Sequence, residues 1–176
     1  MPRELPAGVD DALGLFIGYL LLDAIIGNTD RHHENWAVMM TRDGSGSRNL
    51  QLAPTYDHAS SLGRELPDSK RESRLRSDGV HGIEGYGERA RSALYRAVGD
   101  AKPLLTHDAF FTAGERRPAA RDGWLARFAD IGAGVLEEPL RRLAPSVASA
   151  PARAFASALI RYNFGKLLAQ QEDFVR

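Results

Sequence analysis

Cysteine is absent from the 176 residues, which excludes disulfides, thiolate zinc sites and cysteine nucleophiles and fits a reducing compartment, so a cytoplasmic location is expected. Lysine is nearly absent: Lys70, Lys102 and Lys166 stand against twenty arginines. Excess charge is absent too, since acidic and basic residues balance at 23 each. No global field draws the chain onto nucleic acid or an anionic membrane, and neither is expected as a direct partner. A membrane-length apolar run is also lacking. The segment from Leu13 to Ile26 is too short, carries Asp23 and has no cleavage pattern behind a basic start. It reads as a core helix.

What is present is the make-up of an ordinary globular domain, 43% hydrophobic and 26% charged. One domain over residues 1–176 is expected. Asp10 and Asp11 are candidate caps for a helix from about Asp11 to Gly27, with Leu13, Phe16, Ile17, Leu20, Leu21, Ala24 and Ile25 at helical spacing. Trp36 to Met40 and Leu50 to Ala53 read as two strands around the turn-rich TRDGSGSRN, a small β-hairpin. Residues 63 to 87 are polar and Gly-studded and read as a long surface loop. Helical patterns follow at about Glu88 to Val98, His107 to Ala113, Arg121 to Ile131, Val135 to Leu143 and Pro151 to Asp173, punctuated by Pro103, Pro118, Pro145 and Pro151. The fold class expected is mainly α with one small hairpin.

Chemistry concentrates in IIGNTDRHHENWAVMM, residues 25–40, and LAPTYDHASSLG, residues 52–63. Phosphoryl transfer from a nucleotide needs a carboxylate to orient the attacking hydroxyl and accept its proton, and oxygen ligands for magnesium. Asp30 follows directly on a helix, and Asn35 lies five residues later. The base and the metal-binding Asn of protein kinases are separated by that interval, and a hairpin then leads to a second metal-binding Asp, the position Asp57 occupies. A carboxylate and a neutral amide are hard oxygen ligands of the kind Mg2+ takes.

GNTDRHHEN followed by LAPTYDHASSLG resembles the C-terminal lobe of the HipA-like serine/threonine kinases, whose pattern runs G-x-x-D-x-H-x-x-N, hairpin, L-x-P-x-[YF]-D. The likeness is specific over residues 13 to 63 and general beyond them. It implies a kinase C-lobe fold, ATP and Mg2+ as cofactors and a protein Ser/Thr hydroxyl as acceptor. It makes Asp30 the proton acceptor and Asn35 and Asp57 the magnesium ligands, and it puts His32 and Tyr56 in segments that touch the nucleotide. One departure is large. The family's preceding lobe supplies a phosphate-covering loop and a lysine, yet only 29 residues precede Asp30, with Arg3 as their single basic side chain. The expectation is therefore an isolated C-lobe, whether truncated, excised or half of a split kinase, that needs a separate nucleotide lobe for activity.

Plainer readings stand beside these. Asn28 and Asp30 taken singly would be turn formers after a helix. His32, His33, Glu34 and His58 lack the HExxH register and any cysteine, so zinc is not expected. Gly44 and Gly46 in DGSGS read as a hairpin turn, and Trp36 as core packing. The charged stretch Arg64 to Asp78 reads as a solvated loop, with a substrate-binding segment as the minority reading. Two other functions compete: a non-catalytic binding or regulatory remnant, with a toxin–antitoxin type protein partner suggested by the family alone, and a phosphoinositide-type lipid kinase, because D-R-H-x-x-N also fits those enzymes.

Overall fold

Asp11 accepts a hydrogen bond from Gly14 N through Oδ1 at 2.6 Å and so caps helix α1, Ala12–Ile26. Gly27 closes it in the left-handed conformation, with its N–H returned to Asp23 O. The expected helix is thus found to within a residue at either end. The computed structural model describes residues 4–42 and 44–175; Arg3 and Asp43 lie outside them. After α1 come an antiparallel hairpin of β1 (Val38–Arg42) and β2 (Arg48–Leu52), then α2 (Asp68–Leu75), a 3-10 turn (Gly79–His81), α3 (Ile83–Gly87), α4 (Thr106–Gly114), α5 (Pro118–Ile131), α6 (Ala133–Arg141) and α7 (Ala150–Val175). The protein is mainly helical with one two-stranded hairpin, as its composition and periodicity predict.

Helix α1 is apolar on most of its circumference because α4, α5 and α7 surround it. Ile17, Leu20, Leu21, Ala24 and Ile25 meet Phe110, Phe111, Leu125, Ile160 and Leu167 in one core. At Gly18 the indole of Trp124 lies on the helix backbone; a Cβ there would sit 2.4 Å from Trp124 Cε2, and the indole Nε1 donates to Gly14 O at 2.8 Å. The C-terminal pair α6–α7 is joined by a fork in which Arg161 Nε and Nη2 each donate to the buried Glu137 carboxylate at 2.7 Å. Among the described residues no helix is long and apolar enough to cross a membrane.

The hairpin pairs Val38 with Leu52 and Met40 with Leu50, and it extends to Arg42 opposite Arg48, two residues further into the expected turn on the first strand. Leu52 is its one buried strand residue. Trp36 is half-buried against Phe16, ring centroids 5.3 Å apart.

Two expectations are corrected. Residues 63 to 87 are not a continuous loop: they hold α2, the 3-10 turn and α3. DSKRESRL has no apolar face to betray a helix, and α2 is instead fastened by polar groups. Arg71 donates to Gly63 O and Asp68 Oδ1, and Ser149 Oγ on the approach to α7 donates to Asp68 Oδ1. α3 contributes Tyr86, whose ring meets Phe155 edge-on at 5.1 Å.

The helix expected over Glu88 to Val98 is absent. Residues 90–106 instead fold back on themselves, with Ser92 N donating to Leu104 O, Leu104 N to Leu94 O and Thr106 N to Ala90 O. Ser92 Oγ accepts from Leu94 N and donates to Leu104 O, the local competition by which serine disfavours helix interiors. The apolar residues that mimicked a period are not all inward, since Val98 is fully exposed.

Candidate functional site

Asp23 lies on the buried face of α1, 2% exposed. An ionised carboxylate there requires a matching cation. That cation is Arg31, whose Nε donates to Asp23 Oδ2 at 2.7 Å and whose Nη2 donates to Asp23 Oδ1 at 2.8 Å. Asn28 adds a third donor, Nδ2 to Asp23 Oδ1 at 2.8 Å, while its own Oδ1 accepts from Asp30 N at 3.2 Å. The plain reading of Asn28 as a turn former is therefore right.

The remaining nitrogen of Arg31 ties two segments together. Nη1 donates to Asn35 O at 2.6 Å and to Tyr56 O at 3.2 Å. Further stitches run alongside: Tyr19 Oη to Ala53 O at 2.9 Å, Thr29 N to Ser60 O at 3.0 Å and Leu62 N to Ile26 O at 2.9 Å. The segment after the hairpin is thus laid against the end of α1 and the loop that follows it.

Asp30 and Asn35 meet within that loop. Asn35 Nδ2 donates to Asp30 O at 2.6 Å. This bond fixes which end of the amide is which, because a carbonyl can only accept. The amide oxygen makes no hydrogen bond to another described residue. The Asp30 carboxylate is 45% exposed, with Ser60 Oγ at 3.5 Å from Oδ2 and His32 Nε2 at 3.7 Å from Oδ1. Glu34 N donates to His32 Nδ1 at 3.2 Å, so Nδ1 accepts and the ring N–H lies at Nε2, the nitrogen nearer Asp30.

Asp57 sits between two residues bonded to Arg31, Tyr56 through its carbonyl and His58 through Nδ1, 2.9 Å from Arg31 Nη2. Its backbone is left-handed, φ 52°, a region that Asp tolerates better than most residues. The side chain is exposed and makes no hydrogen bond or ion pair with another described residue. Tyr56, 41% exposed, is held across the loop that follows α1 by Oη donating to Glu34 O at 2.8 Å.

His58 lies 3.6 Å from Asp23 Oδ1, close enough for an ion pair were it charged. Burial, then the Arg31 guanidinium, pushes its pKa below the usual value, with Asp23 opposing. A neutral ring follows, accepting from Arg31 at Nδ1 and sharing Nε2 with Thr55 Oγ1 at 3.2 Å.

The structure therefore brings Asp30, His32, Asn35 and Tyr56 into one loop assembly and attaches Asp57 to it through both of its neighbours. Among the described residues no three His, Asp or Glu side chains gather to hold a metal by themselves. A magnesium ion that takes its other ligands from phosphate and water needs only one or two protein groups, and the Asn35 amide oxygen and the Asp57 carboxylate fit it in chemical type. Sequence reasoning missed the Arg31 hub. Its signal was Asp23, a lone acid in an apolar helix that demands a cation. No protein-family model, no curated protein and no solved structure matches this chain.

Proposed function

We propose that this chain carries out ATP- and Mg2+-dependent phosphoryl transfer to a Ser or Thr hydroxyl of a protein, as the catalytic lobe of a HipA-like kinase. The observation that carries the reading is Arg31 Nη1 bound to both Asn35 O and Tyr56 O, so that the loop bearing Asp30 and Asn35 and the residue preceding Asp57 share one buried anchor. Phosphoryl transfer asks a protein chiefly for positioning and charge, and anchored loops meet the first demand.

In this reading Asp30 orients the acceptor hydroxyl and takes its proton as that oxygen bonds to the γ-phosphorus and the bond to the ADP oxygen breaks. Asn35 Oδ1 and the Asp57 carboxylate would hold Mg2+, which when bound offsets the negative charge of the phosphates. His32 presents an N–H beside the Asp30 carboxylate, and Tyr56 walls the loop. A phosphate-covering loop and its lysine belong to a nucleotide lobe supplied in cis or in trans.

The test measures MgATP binding by calorimetry and transfer of labelled phosphate to protein acceptors, with and without such a lobe. Asp30→Asn is expected to abolish transfer with nucleotide affinity kept within about threefold, whereas Asp57→Asn also weakens Mg2+-dependent binding by about tenfold or more. Transfer that survives Asp30→Asn sinks the assignment.

A further inference from the structure

Between α2, the α6–α7 connection and the start of α7 lies a cleft of about 410 Å³, within the size range of small-molecule sites. Its apolar wall is made by Leu62, Leu140, Leu143, Val147, Ala152 and Ala156. Three arginines, Arg64, Arg71 and Arg153, are among the lining residues, and no Asp or Glu is.

These cations differ in how they are held. Arg71 is pre-set: Nε and Nη2 donate to Gly63 O at 3.3 and 3.0 Å, Nη2 also to Arg64 O at 3.1 Å, and Nη1 to Asp68 Oδ1 at 2.7 Å. Asp68 is itself engaged by Ser149 Oγ at 2.8 Å, so it answers one of the three charges. Arg153 donates Nη1 to Leu143 O at 2.7 Å, which leaves Nε and Nη2 without a protein partner among the described residues. The Arg64 guanidinium makes no hydrogen bond or ion pair with another described residue. At the rim Val147 is 71% exposed, an apolar residue that the core does not use.

An inorganic anion would leave the apolar wall wet, and a plain hydrocarbon would desolvate guanidinium groups without pairing them. A ligand with an apolar body and a single carboxylate answers both halves. We propose that this cleft binds a small amphipathic carboxylate, its chain on Leu140, Leu143 and Val147 and its carboxylate on Arg64 and Arg153. The site stands apart from the proposed phosphoryl transfer and does not rest on it. It touches that region through Ser61 and Leu62, which line the cleft and are bonded to His58 O and Ile26 O.

The test is calorimetric titration of the whole chain with octanoate, with 1-octanol as the neutral match and acetate as the chainless one. Octanoate should saturate a single site, with octanol and acetate each weaker by about tenfold or more. Arg64→Gln and Val147→Glu, both at exposed positions, should leave the melting temperature unchanged and weaken octanoate by about three- to tenfold. Octanol or acetate equal to octanoate overturns the proposal, as does octanoate binding that neither variant alters. An acetylated peptide ending in a leucine carboxylate that binds about a hundredfold more tightly than octanoate also overturns it, in favour of a protein terminus as occupant.

Discussion

Asp23 and Arg31 face each other as a two-point fork, at 2.7 and 2.8 Å, with side chains 2% and 0% exposed. Burying two charges costs free energy that the pair's own attraction need not recover. What distinguishes this pair is the rest of its bonding, because Arg31 also carries the carbonyls of Asn35 and Tyr56. Its consequence is the placement of two loops more than net stability.

Loss of either partner leaves an uncompensated buried charge. Arg31→Met and Asp23→Leu should each lower unfolding free energy by about 3–5 kcal/mol in urea titration. In many buried pairs an apolar double replacement recovers stability, but this one should not, since two carbonyls lose their donor. A double variant as stable as the parent would show that those carbonyls do not depend on Arg31.

Gly18→Ala runs against helix propensity. Alanine is the better helix former by about 1 kcal/mol, yet its Cβ would stand 2.4 Å from the Trp124 ring. The indole must move and its bond to Gly14 O must stretch, so a net loss of about 1–3 kcal/mol is expected in thermal unfolding. A rise in melting temperature would mean that the indole packs elsewhere.

How far the sequence reached depends on which force placed each element. Helices held by apolar faces, α1 and α4 to α7, were legible because periodicity records burial. α2 was not, because its attachments are Arg71 and Asp68 to backbone and hydroxyl groups that no period encodes. At the candidate site, the contact of Asn35 with Asp30 follows the expected spacing. Arg31 and His58 are invisible as partners because a sequence separation of 27 closes only in three dimensions. Asp23 carries the signal for that hub, because a carboxylate 2% exposed in an apolar helix demands a cation.

Acid should act first through the buried His107 and the half-buried His58. Burial pushes His107, 2% exposed, down to about 4, with Lys166 adding to the shift and Glu88 and the Asn163 backbone opposing it. A folded pKa below the unfolded value of 6.5 favours the neutral ring, so this stability is present above about pH 6.5 and lost as pH falls toward 4. The loss from His107 should reach about 2–3 kcal/mol, with His58 contributing in the same direction. His107→Gln should flatten the stability curve between about pH 6.5 and 4.5; an unchanged slope would locate the acid sensitivity elsewhere.

Asp57 allows backbone and chemistry to be separated at one position. Its φ of 52° is a conformation that glycine adopts without strain. In Asp57→Gly the relief of that strain and the added entropy of the unfolded chain are both about 1 kcal/mol and opposite in sign. Stability should therefore stay within about 1 kcal/mol of the parent. Asp57→Val, β-branched and intolerant of positive φ, should instead lose about 1–2 kcal/mol. If the carboxylate holds magnesium, both variants lose Mg2+-dependent nucleotide binding alike, although only one of them is destabilised. Denaturation and MgATP titration of the two variants side by side give the answer. A glycine variant that keeps metal-dependent binding would mean that this position serves the turn alone, and the magnesium role would pass from Asp57 to another group.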